Sequence, residues 1–180
     1  GRAGGAFAGE SNAGEGGTGG VAGEAGAGGE TEVLNDAKVV KVLATVNAGE
    51  IAAAQVAQPA AQTVAVKNYA ALMITDHSTA SAQTLALVGT KHIAPQPSAI
   101  SEHLEAQGAA LLVTLSQTPQ ADFDKIYIQS QIAMHQEVLT LIDTRLLPDA
   151  TDADLKALTA TIRVTVATHL ETARTIFTAL

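Results

Sequence analysis

The chain has 180 residues and a formal net charge of −8, and 47% of its residues are hydrophobic although only 3% are aromatic. This length suits one domain with an appendage, and an Ala-rich apolar fraction favours close-packed helices over a sheet. The acidic balance without a Lys/Arg cluster argues against a nucleic-acid partner. The absence of Cys excludes disulfides and thiolate metal sites, and without an apolar run of about 18 residues we expect no membrane span.

The first element is a Gly-rich arm, residues 1–30, which holds most of the 16 Gly residues. Six successive triplets over residues 13–30 read Ala or Gly, then Gly, then any residue. The second place of each triplet is occupied by Gly14, Gly17, Gly20, Gly23, Gly26 and Gly29. A polyproline-II-type helix has three residues per turn. In that form the arm would have an all-Gly edge, an Ala/Gly edge and one edge with larger side chains.

Two interpretations of the arm stay open. It is either a flexible Gly-rich tether or an extended, polyglycine-II-like segment packed against neighbouring copies. Ordering its backbone costs roughly 1–2 kcal/mol per residue, and the arm has almost no side chain to bury. An ordered arm therefore requires neighbours, which predicts self-association into a homo-oligomer or fibre.

The composition changes at about Thr31, so we predict a separate helical domain over residues 31–180. Apolar residues that recur every three or four positions predict four long helices and one shorter helix. We expect the helices at 32–57, 63–91, 98–116, 118–147 and 151–180. The predicted N-caps are Thr31, Thr63, Ser98, Thr118 and Thr151, the last in a Thr151-x-x-Asp154 capping box, and Pro59 and Pro148 are expected beyond helix ends.

The lengths of the connections predict how these helices pack. Short links join the first two long helices and the last two, so each pair is expected to form an antiparallel hairpin. The shorter helix would span about 28 Å at 1.5 Å per residue, which is close to the length of a bundle. We therefore predict an all-α, ferritin-like four-helix bundle with a helical crossover between its second and third long helices.

Three segments resemble a known family. "VKNYAALMITDHS", "FDKIYIQSQIAMHQEVL" and "THLETA" are similar to the bacterial family catalogued as domain of unknown function 4142, over about residues 33–180. The resemblance implies a ferritin-like bundle that is exported to the periplasm or cell surface. It implies no activity, and the Gly-rich arm lies outside it.

Three of the five His residues, His77, His135 and His169, lie on apolar stripes near the middle of their helices. We predict that they meet in one layer, with Asn47 and Glu50 at the same level. A buried ring without a partner costs about 1–3 kcal/mol, so these rings must bond to each other, to Asn47 or Glu50, to water or to a metal. Two interpretations follow: a polar layer that fixes helix register, or a Zn, Cu or Fe site formed by His77, His135, His169 and Glu50.

Signals for catalysis are weak. A di-iron ferritin centre requires Glu three residues before His, but Ile74 and Val166 precede His77 and His169 at that spacing. No Gly-x-Ser-x-Gly elbow or phosphate loop occurs, so we predict no catalytic residue. The sequence favours a non-catalytic, extracytoplasmic assembly protein joined into a fibre or surface array through its arm. The alternative is a periplasmic metal-binding bundle on a flexible tether.

Overall fold

A computed structural model describes residues 32–180, so the Gly-rich arm and its six predicted assembly glycines lie outside the described residues. Within 32–180 every regular element is helical, which confirms the all-α prediction. The helices are α1 (Asp36–Ala60), α2 (Val64–Lys91), α3 (Ala99–Gln117), α4 (Phe123–Leu141) and α5 (Ala153–Thr178). A 3₁₀ turn (Gln120–Asp122) precedes α4, which continues as a π-helical segment (Ile142–Leu146) and a short α-helical turn (Leu147–Asp149).

Of the five predicted N-caps, two are confirmed and three are wrong. The side chains of Thr63 and Ser98 accept hydrogen bonds from backbone N–H groups in the first turns of α2 and α3. Asn35, not Thr31, caps α1. Asp152, not Thr151, caps α5, because its carboxylate accepts from two backbone N–H groups at 2.9 and 3.0 Å.

The predicted boundaries around the prolines also need correction. Pro59 lies inside the last turn of α1, which ends one residue later. Thr118 does not cap α4, because the 3₁₀ turn intervenes. Pro148 lies inside the turn that follows the π-helical segment, where the N–H of Leu147 bonds to the carbonyl of Ile142 five residues earlier. This wider turn accommodates a ring that would clash in a regular α-helix.

Contacts between the helix ends establish the direction of each helix. At one end, the backbone N–H groups of Gln62 and Thr63 each donate to the Asp124 carboxylate at 2.8 Å. At the other end, Lys91 pairs with Asp152 and Asp154 at 3.1 and 2.6 Å. Thus α2 and α4 begin at the same end, as the crossover length predicted. Along their lengths, α1 packs on α2 and α3, and α5 packs on α2 and α4.

The core has two apolar halves with polar residues between them. One half is mainly aliphatic and includes Leu43, Ile142 and Val166. The other is rich in Ala and contains Met73 and Tyr127. Along α1, α2, α4 and α5, the residues between these halves form a buried polar band that consists of Asn47, Glu50, His77, Gln131, His135 and His169.

By length and composition, α1 is the one helix within residues 32–180 that is apolar enough to cross a membrane. The absence of a membrane span stays a prediction, because length and composition alone do not place a helix in a membrane. In this structure 44% of the most apolar window of α1 is buried inside the domain. A buried core helix meets the same criterion, and α1 contributes Asn47 and Glu50 to the polar band.

Candidate metal centre

Three helices bring three histidines together at the middle of the bundle. His77 lies on α2, His135 on α4 and His169 on α5, and each is at most 3% exposed. The ring centroids are 5.9 Å apart for His77 and His135, 5.3 Å for His77 and His169, and 5.5 Å for His135 and His169. One possible ligand atom from each ring lies within 4.8 Å of the other two.

Each imidazole uses one nitrogen to bond outward. His77 Nδ1 lies 2.9 Å from Asn47 Oδ1, and His135 Nδ1 lies 2.9 Å from the backbone carbonyl of Gln131. His169 Nε2 lies 2.8 Å from the carboxylate of Asp76. All three partners present an oxygen that accepts, so the proton of each neutral ring belongs on this outward nitrogen.

The second nitrogen of each ring is left with a lone pair. His77 Nε2, His135 Nε2 and His169 Nδ1 are buried and have no hydrogen-bond partner within residues 32–180. Because each outward nitrogen carries the proton, no ring has an N–H to donate to another ring. We therefore take these three nitrogens as the candidate ligand atoms.

Burial favours the neutral form of His77 and His169. Desolvation, reinforced by the neighbouring His135 and His169, lowers the pKa of His77 to about 3. Desolvation also lowers the pKa of His169, although Asp76 opposes the shift. Neutral imidazole is the form that binds a metal ion, so this effect favours ligation by His77 and His169.

The spacing fits an ion after a small contraction. Atoms within 4.8 Å of one another share a point about 2.8 Å or less from each, whereas a Zn–N bond is about 2.0–2.1 Å. Each ring would therefore move by less than about 1 Å. Outward hydrogen bonds of the kind seen on all three rings also fix ring orientation in protein metal sites.

Glu50, predicted as a fourth ligand, lies elsewhere. Its Oε1 is 3.6 Å from His135 Nδ1, the nitrogen that bonds to Gln131. That nitrogen is not one of the three candidate ligand atoms. Glu50 Oε2 has no partner within the described residues. Desolvation and then this carboxyl group raise the pKa of Tyr127. Glu50 thus approaches the outer side of the His135 ring.

Sequence reasoning missed Asp76. Its neighbour His77 lies on the apolar stripe of α2, whereas Asp76 lies off that stripe. It is rotated away from the centre of the bundle, but towards α5, where it receives the His169 N–H. The adjacent Asp-His pair on α2 was the signal that could have identified it.

A cleft between α2 and α5 leads from the surface to the histidines. It encloses about 200 Å³. Asn47, Asp76, His77 and His169 line it, together with the polar side chains of Thr79, Gln83, Thr161 and Thr165. Asp76 keeps 33% of its side chain exposed, so the cleft supplies a route for an ion.

The fold and the site together define a helical domain with a buried tri-histidine cluster at its centre. The chain belongs to the family described as Domain of unknown function (DUF4142), whose model matches residues 21–176. The match starts at residue 21, whereas the resemblance described above starts at about residue 33. The family model therefore includes part of the Gly-rich arm, which we had expected to lie outside. No curated protein and no solved structure matched the chain.

Proposed function

We propose that this protein is a ferritin-like four-helix bundle that binds one divalent transition-metal ion in an extracytoplasmic compartment. In this proposal α1, α2, α4 and α5 form the bundle, α3 is the crossover, and His77, His135 and His169 hold the ion. The extracytoplasmic location rests on the family resemblance.

The observation that supports metal binding is the set of three unprotonated nitrogens that share one buried layer. Leaving a buried polar atom without a partner costs about 1–3 kcal/mol. Three acceptors cannot satisfy each other, whereas one cation satisfies all of them at once. The alternative, a hydrogen-bonded layer that fixes helix register, accounts for the bonds from His77 to Asn47 and from His169 to Asp76. It leaves the second nitrogen of each ring without a partner within residues 32–180.

The charges around the cluster suit a divalent ion. The three imidazoles are neutral ligands, and the carboxyl groups of Asp76 and Glu50 lie on the outer sides of His169 and His135. Ionised, these two groups balance a charge of +2 without entering the coordination sphere. Imidazole donors suit Zn, Cu and Fe among the common metals, and Zn²⁺ is the simplest probe because it has no redox chemistry.

A competition titration tests this proposal. The chelator-treated full chain is titrated with Zn²⁺ in the presence of a chromophoric chelator. We expect one Zn²⁺ per chain. Replacing any of the three histidines with Ala should weaken binding more than about 100-fold, since outer partners alone contribute about 10–100-fold.

A matched control separates the site from incidental His binding. His103 has a side chain that is 63% exposed and lies on α3, away from the cluster. His103→Ala should leave the affinity unchanged. Equal Zn²⁺ affinity in His77→Ala, His135→Ala, His169→Ala and the parent protein would contradict the proposal, provided that circular dichroism shows all four to be folded.

A second proposal concerns the arm and keeps the assembly role that the triplets predict. We expect Gly20→Val to abolish self-association, because a larger side chain on the Gly edge would hold neighbouring backbones apart. Thr18→Val, on the edge with larger side chains, should be tolerated. Light scattering measures the difference in particle size. Identical sizes for the two variants would contradict the packed-segment interpretation and support the flexible tether.

A further inference from the structure

We propose that the metal held by the three histidines keeps one coordination position for a small exchangeable ligand, which enters through the cleft and accepts a hydrogen bond from Asn47. This inference rests on the proposed metal site. It adds the position, the access route and the chemical class of a ligand that the protein itself does not supply.

The protein provides too few ligands to close the coordination sphere. Within residues 32–180, the group of side chains that could hold an ion contains the three histidines and no fourth member. Glu50 lies beside His135 Nδ1, on the outer side of that ring. Zinc sites with three protein ligands keep the fourth position for water or another small ligand.

The cleft shows from which side such a ligand arrives. Its walls include His77 of α2 and His169 of α5, whereas His135 of α4 is not part of them. The open position therefore faces the gap between α2 and α5. The volume of about 200 Å³ admits a ligand of a few atoms.

The side-chain amine of Asn47 supplies a hydrogen-bond donor in the same cleft. Asn47 Oδ1 accepts from His77 Nδ1, which leaves the Nδ2 amine free to donate elsewhere. This amine has no partner within the described residues, although Asn47 is only 1% exposed and lines the cleft. A buried donor in the wall of this cleft calls for an accepting atom.

These features identify the ligand class. Asn47 lies beside the outward nitrogen of His77, so the ligand must bind the metal through one atom and accept from Asn47 through another. A small monoanion that is a few atoms long fits. Besides the histidines, the polar lining that residues 32–180 provide for the cleft offers hydroxyl and amide groups and the Asp76 carboxylate, but no Lys or Arg, which argues against a large polyanion. We assign the position to metal-bound solvent that exchanges with a small monoanion.

The test uses full-length protein loaded with Co²⁺ and titrated with azide, with visible absorption as the readout. We expect a saturable change in the Co²⁺ spectrum. Asn47→Asp keeps an oxygen for His77 but removes the donor, so Co²⁺ should still bind while the azide affinity falls about fivefold or more, the effect of one hydrogen bond. Gln83→Glu adds the same charge to the cleft and should change azide affinity by much less.

The outcomes separate this inference from the proposed function. If Co²⁺ binds and azide leaves its spectrum unchanged, the metal site is supported but the proposal of an open coordination position is wrong. If Asn47→Asp and Gln83→Glu weaken azide equally, the hydrogen bond from Asn47 is wrong. If Co²⁺ and Zn²⁺ both fail to bind the parent protein, the proposed function fails and this inference falls with it.

Discussion

Two polar regions of this bundle differ in how their hydrogen bonds are satisfied. The polar band crosses the middle, and an end cluster lies where α1 begins and α4 finishes. The end cluster consists of Glu32, Asp36, Arg145, Asp149 and Thr151. In the end cluster, the Asp36 carboxylate accepts from the Thr151 N–H at 2.7 Å and from its hydroxyl at 2.6 Å. Arg145 donates to the Glu32 carbonyl and pairs with Asp149.

In the polar band, by contrast, many buried polar atoms have no hydrogen-bond partner among the described residues. Within residues 32–180, every buried side-chain nitrogen or oxygen without a partner belongs to this band, to Thr45 or to Tyr127. Polar groups that serve stability are normally paired, as the end cluster shows. The polar band instead holds several buried nitrogen and oxygen atoms without partners in the described part of the chain, and this arrangement favours a role in ligand binding over a role in stability alone.

The largest expected effect is stabilisation by the metal. At a free Zn²⁺ concentration 1,000 times the dissociation constant, unfolding should cost about 4 kcal/mol more than in the metal-free protein. Urea denaturation with and without Zn²⁺ measures this difference. In His135→Leu the difference should vanish, and an undiminished Zn²⁺ effect in that variant would place the ion outside the polar band.

Acid should destabilise the metal-free protein through the same residues. The pKa of His77 is about 3 in the folded chain and about 6.5 when unfolded, and the titratable groups that face it are His135 and His169. Between these values the unfolded chain binds more protons, so the free energy of unfolding falls as pH falls. With a chelator present, His77→Gln should lose less stability than the parent between pH 7 and pH 4.5. Equal losses of unfolding free energy in the variant and the parent would show that folding does not lower the pKa of His77.

Breaking the end cluster should affect stability and leave metal binding alone. Asp36→Ala leaves the two donors of Thr151 and the N–H of Asp152 without their acceptor. Because this site is partly exposed, we expect a loss of about 1–2 kcal/mol in the free energy of unfolding. The Zn²⁺ affinity of the folded protein should not change, and a large change would mean that the two polar regions are coupled.

The smallest effect should come from the outer partner of His169. Asp76→Asn keeps the shape of the side chain but weakens its bond to the ring, so Zn²⁺ affinity should fall about tenfold. Stability in the absence of metal should barely change. Asp154→Asn, which removes a carboxylate that pairs with Lys91 at the end of the bundle, is the matched control and should bind Zn²⁺ like the parent.

The sequence pattern predicted the helices and the level of the histidines because both follow from helical periodicity. His77, His135 and His169 each lie about midway along an apolar stripe, and antiparallel helices of similar length align their midpoints. The pattern says which residues face the core, so it could find the rings. It does not say which nitrogen of each ring carries the proton and which could bind a metal. That depends on the oxygen atoms that accept from the rings, and these belong to neighbouring residues or helices.

The features that the sequence did not predict depend on tertiary contacts. Thr151 looked like a cap, but its hydroxyl bonds to Asp36, 115 residues away in sequence, and the next residue caps α5 instead. Asp76 lies off the apolar stripe of α2, and its role depends on His169 of α5, which donates to its carboxylate.

The central claim is that three unprotonated nitrogens meet at one point, and nitrogen-15 NMR of the histidine rings tests it most directly. In the metal-free protein at pH 7, we predict protons on Nδ1 of His77 and His135 and on Nε2 of His169. Addition of Zn²⁺ should shift the other three nitrogens, His77 Nε2, His135 Nε2 and His169 Nδ1, and leave the protonated ones in place. A proton on any of these three nitrogens in the metal-free protein, or no shift with Zn²⁺, would contradict the account.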